Sequence, residues 1–382
     1  MAFALAPEMP AHVDRPAISA PGPREVAFGR VAGSVARGTH RVVVLIDGEE
    51  AGAERVRGSR FELRVDVPPR DTSMRVVAED ALGNSSTVTV APVFGLGRLA
   101  PAPASKPYED PGLARAVRRL VDAFPGTSGV YVENLATGAG AAWNARARFP
   151  AASTVKLAIA IEVLRVLEAR PPPLSDEARL LELMLAHSDN EAANELLEWL
   201  GGSDQGGAAE VNALLAALGL TDSYLYGGFL VADGEREPIP LTVESEPTFE
   251  GKYTTAWDLA RLHRAVHLAA QGGGPLLAAG GSFTAADARH LLWILAHAAD
   301  RGKIDRYLGS EAIVAHKAGW TTEVRHDTGL VYADGTVFVV SVMTWTGGGA
   351  GDASDDFAGR VAEAALQRFR ATREESEDDA AA

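Results

Sequence analysis

Between residues 112 and 370 the apolar pattern changes period twice, with strand-like runs at both ends and helix-like runs in the middle. Residues 113–124 have helical spacing, and residues 129–134 with those around Trp143 read as a hairpin. From Ser153 to about Arg301 the pattern is helical. Strand runs return at residues 313–316, 330–332 and 336–343, the last two joined by Asp334-Gly335, a pair suited to a tight hairpin. A closing helix begins near Ser354-Asp355, which can cap it, and runs to residue 369. Strands from both ends of one block can pair into a single antiparallel sheet, with the helical middle packed on it. The fold class predicted for residues 112–370 is therefore α+β.

The chain before this block reads differently. Residues 1–22 carry Pro7, Pro10, Pro16 and Pro21 without periodicity and read as a disordered lead. Residues 23–93 predict a small all-β sandwich. Arg41-Val42-Val43-Val44-Leu45-Ile46 is a strand run closed by Asp47-Gly48, and Phe61, Leu63, Val65 and Val67 alternate with Glu62, Arg64 and Asp66. Residues 74–78 and 87–90 add two more strands at regular spacing. The stretch from Val77 to Ser85 resembles the last hairpin of bacterial immunoglobulin-like domains. Residues 94–111, rich in Ala, Pro and Gly, read as a linker, and residues 371–382 as a solvated acidic tail.

Charge and composition exclude several function classes. A net charge of −15 without a basic patch argues against binding nucleic acid through its phosphates. The absence of Cys excludes disulfides, thiol catalysis and Cys-ligated zinc. His263 and His267 have helical spacing but lack the Glu of a zinc-binding H-E-x-x-H, so no metal and no cofactor is expected. His187 and His326-Asp327 have no serine in a G-x-S-x-G elbow to serve. No run approaches the roughly 18 apolar residues that span a membrane.

Three patterns carry chemistry. Ser153-Thr154-Val155-Lys156 opens the apolar run from Leu157 to Leu164, which implies a mostly buried helix. A serine in the first turn feels the positive end of the helix dipole, and a lysine three residues on shares its face. Burial lowers a lysine's pKa, so Lys156 can accept the serine proton when neutral and orient the hydroxyl when charged. Ser188-Asp189-Asn190 forms a polar break between two apolar helical runs, a good place to present side chains to a cleft. Lys317-Ala318-Gly319 follows a strand run; its lysine can hold a carboxylate, and its glycine admits a close substrate backbone. Singly, these patterns also suit a surface serine with a snorkelling lysine, a helix N-cap at Ser188 or Asp189, and an exposed edge lysine.

In this order, S-x-x-K, S-D-N and K-x-G resemble the motif set of class A serine β-lactamases and related penicillin-recognising enzymes. Phe149-Pro150-Ala151-Ala152, the segment from Ala186 to Asn194, and Thr254-Thr255 extend the resemblance. It implies a β-lactamase-like catalytic domain over residues 112–370, acting on a β-lactam or a peptidoglycan stem peptide. It implies Ser153 as acylated nucleophile, Lys156 as its activating partner and Ser188 as proton relay to the leaving nitrogen. Asn190 then binds the substrate amide and Lys317 its carboxylate. The backbone N–H groups of Ser153 and Trp320, the residue after Gly319, form the oxyanion hole.

The sequence departs from that pattern in three places. Ala318 stands where a hydroxyl residue is usual, with Arg325 or His326 on the next strand placed to compensate. No E-x-x-L-N acid follows Ser188 at the usual distance, and counting back from Thr254 reaches Glu237 as the deacylating base. Ser153 and Ser188 lie close in sequence, which predicts a trimmed, open cleft rim. The expected function is a serine hydrolase that opens β-lactam amides through an acyl-enzyme, with slow deacylation. A D,D-peptidase or transpeptidase, or a non-catalytic binding protein of the same fold, is the alternative. This chemistry belongs outside the cytoplasm, whereas residues 1–7 lack a signal-peptide pattern, so a longer precursor is expected.

Overall fold

The computed structural model describes residues 13–97, 106–167, 169–225, 239–347, 349 and 351–381. The chain divides into two compact units at residue 98. The first holds β1 (Ala17–Ala20), β2 (Glu25–Ala27), β3 (Arg30–Ser34), β4 (Thr39–Ile46), β5 (Glu49–Arg55), β6 (Arg60–Arg64), β7 (Asp71–Asp80) and β8 (Ser85–Gly95). They form one sheet of order β1-β3-β6 and a second of order β2-β8-β7-β4-β5. The inward alternate residues of both sheets, among them Val31, Phe61, Leu63, Val42, Val44, Met74 and Val76, make one core. Asp47 and Gly48 both take positive φ, 50° and 98°, the backbone that a tight β4–β5 turn demands. Strand β1 lies inside the stretch read as a disordered lead, and its pairing with β3 gives the flanking Pro16 and Pro21 an edge-strand setting.

The second unit runs through β9 (Tyr108–Glu109), α1 (Pro111–Ala123), β10 (Thr127–Asn134), β11 (Ala139–Trp143), β12 (Phe149–Pro150) and α2 (Lys156–Val166). Then follow α3 (Asp176–Ala186), α4 (Asn190–Gly201), α5 (Asp204–Ala217), β13 (Tyr253–Thr254), α6 (Ala256–Ala270), α7 (Pro275–Ala278) and α8 (Ala285–Ala296). The last elements are β14 (Ile313–Trp320), β15 (Arg325–Ala333), β16 (Thr336–Trp345) and α9 (Asp352–Ala381). The main sheet has the order β14-β15-β16-β10-β11-β9, so strands from both ends of the unit pair as expected. The joining ladder is β10 on β16, from Thr127 opposite Trp345 to Asn134 opposite Phe338. Helices α1 and α9 cover one face through Leu113, Val117, Val361, Leu366 and Phe369. On the sheet's other packing contacts, α6 meets β10, β15 and β16, and α8 meets β14.

Three boundaries differ from the sequence reading. Within the stretch read as linker, Tyr108 and Glu109 pair in parallel with β11, and Asp110 caps α1 by accepting from the Leu113 N–H at 2.7 Å. Helix α9 starts at Asp352 and continues past residue 369 through the acidic segment, whose Ala, Arg and Glu residues all favour helix. Strand β14 extends four residues beyond the apolar run, so Lys317-Ala318-Gly319-Trp320 lies within the sheet.

Candidate active site

Three segments distant in sequence meet here because three elements start or end at one place. Ser153 lies in a turn just before α2, which begins at Lys156. The turn is pinned by the Thr154 hydroxyl donating to Ala151 O at 2.6 Å and by the Ala151 N–H donating to Lys252 O at 2.9 Å. Ala152 has φ 47°, a left-handed kink for a non-glycine residue immediately before Ser153. Ser153 thus sits at the amino end of a buried helix, where the dipole favours negative charge on its oxygen.

Helix α3 ends at Ala186, and Asp189 caps α4 by accepting from the Ala192 N–H at 2.8 Å. Asp189 therefore takes the capping role, and Ser188 stands between the helices with φ 59°. That left-handed turn aims its carbonyl and its hydroxyl at two different lysines. Lys156 Nζ donates to Ser188 O at 2.6 Å, Asp189 O at 3.1 Å and Asn190 Oδ1 at 2.6 Å. Lys317 Nζ donates to Ser188 Oγ at 2.9 Å and to Ala318 O at 2.6 Å. A lysine on the sheet and a lysine on α2 thereby hold the same serine from opposite sides.

Both ammonium groups are buried, Lys156 at 5% and Lys317 at 2% exposure. Desolvation pulls Lys156 from the usual lysine value to about 8, against the charge of Asp189 and with help from Lys252. Desolvation and then the neighbouring Lys156 charge bring Lys317 to about 7. Two cations beside one serine cannot both hold their protons as tightly as free lysines, so one readily becomes a base.

Gly319 closes the assembly. A Cβ there would meet the Ser153 N at 2.8 Å and the Thr154 N at 3.0 Å. Only glycine lets β14 press this closely on the amino end of α2, which brings the Ser153 amide beside the strand that carries Trp320. Ala152, Ser153, Lys156, Asn190, Lys252 and Trp320 line a cavity of about 380 Å³ with Asn194, Leu197, Leu225 and their neighbours. No carboxylate lines it among the described residues.

The remaining sequence-derived residues fall elsewhere. Glu237 lies outside the described residues. Arg325, opposite Trp320 on β15, is ion-paired with Asp355 of α9, so its guanidinium is committed away from the role proposed for it beside Ala318. His326 is buried, its Nε2 against Pro150 O at 2.8 Å and its Nδ1 accepting from the Thr344 N–H at 3.1 Å; burial pulls its pKa to about 4. It braces β12 as a neutral ring. His263 and His267 are both buried on α6, the first with Nδ1 at 3.0 Å from Leu259 O and the second with Nδ1 at 3.1 Å from the Tyr332 hydroxyl.

Lys252 is a cleft residue that the sequence reading missed. Its only signal was its place two residues before Thr254-Thr255. The register of β12 on β13, Pro150 opposite Tyr253, sets residue 252 beside Ala151 and hence beside the turn that carries Ser153.

Comparison with known proteins shows the same fold in the second unit. The fold is that of PBP-A, at TM-score 0.54 and 22% identity over 69% of this chain and 98% of that one. An ancestral class A β-lactamase aligns at TM-score 0.52 and 24% identity, over 67% of this chain and 100% of that one. A β-lactamase from Streptosporangium roseum aligns at TM-score 0.52 and 23% identity, over 67% and 98%. No curated protein matches the chain at a significant level. The model of the beta-lactamase enzyme family matches residues 112–178 and 176–369, which is most of the chain, and the protein belongs to that family.

Proposed function

We propose that residues 112–370 form a serine hydrolase of the class A type, which opens β-lactam amides through an acyl-enzyme on Ser153 and releases the acyl group slowly. The observation that carries this reading is the pair of lysines on Ser188: Lys317 Nζ on its hydroxyl and Lys156 Nζ on its carbonyl. In its neutral form Lys156 takes the proton of the Ser153 hydroxyl as Oγ bonds to the lactam carbonyl carbon. The oxygen of the tetrahedral intermediate is held by the N–H groups of Ser153 and Trp320. The C–N bond then breaks, and the proton passes through Ser188 Oγ to the leaving nitrogen, so no atom is gained or lost. Asn190 binds the substrate amide, and Lys317 holds the carboxylate as a point charge.

Slow release is inferred from the sequence, in which no E-x-x-L-N acid stands at the usual distance from Ser188 to activate water. The same observation favours a second reading, a D,D-peptidase or transpeptidase whose acyl group passes to an amine. A mutant of PBP-A has been captured as an acyl-enzyme with penicillin G. We read the N-terminal unit as an immunoglobulin-like sandwich and place the protein in the cell envelope or outside the cell.

Turnover of a chromogenic β-lactam and of a D-alanyl-D-alanine peptide, measured side by side, tests the reading. The expected result is a stoichiometric burst with the β-lactam and a steady rate at least about tenfold slower than the burst. Rapid peptide turnover with an inert β-lactam would transfer the assignment to the peptidase.

A further inference from the structure

The cavity beside Ser153 does not end at Lys252. A second chamber of about 400 Å³ adjoins it, shares Asn194, Leu197, Leu225 and Lys252 with the first, and carries one described carboxylate, Asp204, in its own lining. Lys252 therefore stands at the junction of the two. Its side chain is exposed and makes no ion pair or side-chain hydrogen bond among the described residues. Its charge is close enough to Lys156 to lower that lysine's pKa. The wall carrying Ser153 offers Lys156 and Lys252 and no described carboxylate. Lys156 is already occupied by three acceptors, so Lys252 is the cation with free donors facing this space.

Lys317 does not line either chamber; it approaches Ser188 from β14. A substrate whose carboxylate lies at Lys317 while its reacting carbonyl lies at Ser153 must extend its acyl half toward the chambers. We infer that Lys252 is a specificity-determining residue that receives an anionic group on the acyl half of the substrate, so that the site selects acyl donors with a negative charge at each end. Asn194 at the same junction adds an amide able to bond a carboxylate oxygen or a peptide group. The apolar pair Leu197 and Leu225 packs the connecting chain. This assignment rests on the reading of Ser153 as nucleophile.

The test compares the acylation rate constants of the full-length protein with two penicillins, one bearing a carboxylate on its side chain and one bearing a neutral benzyl group. The quantity read is their ratio, in wild type and in Lys252→Gln, Lys252→Glu and Lys252→Arg. The ratio is expected to fall about fivefold in Lys252→Gln and further in Lys252→Glu, and to hold in Lys252→Arg. The wild-type preference is also expected to shrink as salt is raised, since the group is exposed. A ratio that stays within about twofold in Lys252→Glu would overturn the assignment while leaving the nucleophile intact. Failure of both penicillins to acylate the wild type overturns it together with the reading of Ser153. A structural role for Lys252 would slow both substrates equally, and that also overturns it.

Discussion

At the scale of single residues the site is a competition between two lysines for positive charge. In the proposed mechanism Lys156 acts as a base only after losing a proton, with pKa about 8, and Lys317 anchors a carboxylate only while it keeps one, with pKa about 7. The second-order acylation constant therefore rises with pH as Lys156 deprotonates and falls as Lys317 does. A bell centred at about pH 7.5 is expected for an anionic β-lactam. In Lys317→Ala the reaction is slower and the falling limb is lost; a falling limb that stays at the same pH assigns it to another group. Both lysines titrate below their unfolded value of 10.5, so the unfolded chain binds more protons between the folded and unfolded values. Their contribution to stability accordingly grows as pH rises through that window. The motif residues themselves were legible in the sequence, and Ser188 was distinguished from its neighbour only by the fold. Asp189 and Ser188 both suit an N-cap, and it is the φ of 59° at Ser188 that separates the capping carboxylate from the presented hydroxyl.

At the scale of elements the site is a contact between the end of β14 and the start of α2. The fit leaves no room for a methyl group at Gly319, because the Ser153 and Thr154 nitrogens lie within 3.0 Å of where it belongs. Gly319→Ala is expected to lower the acylation rate by about 10²-fold by displacing the oxyanion donors, while the protein stays folded. Circular dichroism establishes folding, and unchanged acylation would show that β14 does not hold the Ser153 amide. Periodicity showed the helices and strands but not this contact. The strand run read from the sequence stops at residue 316, whereas the strand continues to Trp320. The functional residues break the pattern because they face a cleft rather than a core. Lys252 escaped for a related reason: only the pairing of β12 with β13, two residues each, brings it to the nucleophile turn.

At the scale of the whole molecule the chain is two units, each with its own apolar core. The family match covers the second alone. Residues 106–382 expressed without the N-terminal unit are expected to fold and to react with a reporter penicillin within about twofold of the intact rate, as independent domains do. A loss beyond about tenfold would show that the sandwich contributes to the site. The all-β run before residue 94 and the sheet built from both ends of the second unit were legible because hairpin pairs such as Asp334-Gly335 and the alternation from Phe61 to Val67 are local signals. The sequence reading misjudged the edges of both units. Strand β1, strand β9 and the far end of α9 are held by pairing or by continuation of a neighbouring element, and neither leaves a mark in a short window of residues.

Acylation of Ser153 is the step on which the proposed function turns. Mass spectrometry of the protein after brief exposure to penicillin G, followed by peptide mapping, tests it most directly. The expected result is one covalent adduct per chain, on the peptide that contains Ser153, absent in Ser153→Ala and formed about 10³-fold more slowly in Lys156→Ala. No adduct on the intact protein, or an adduct that persists in Ser153→Ala, would contradict the account.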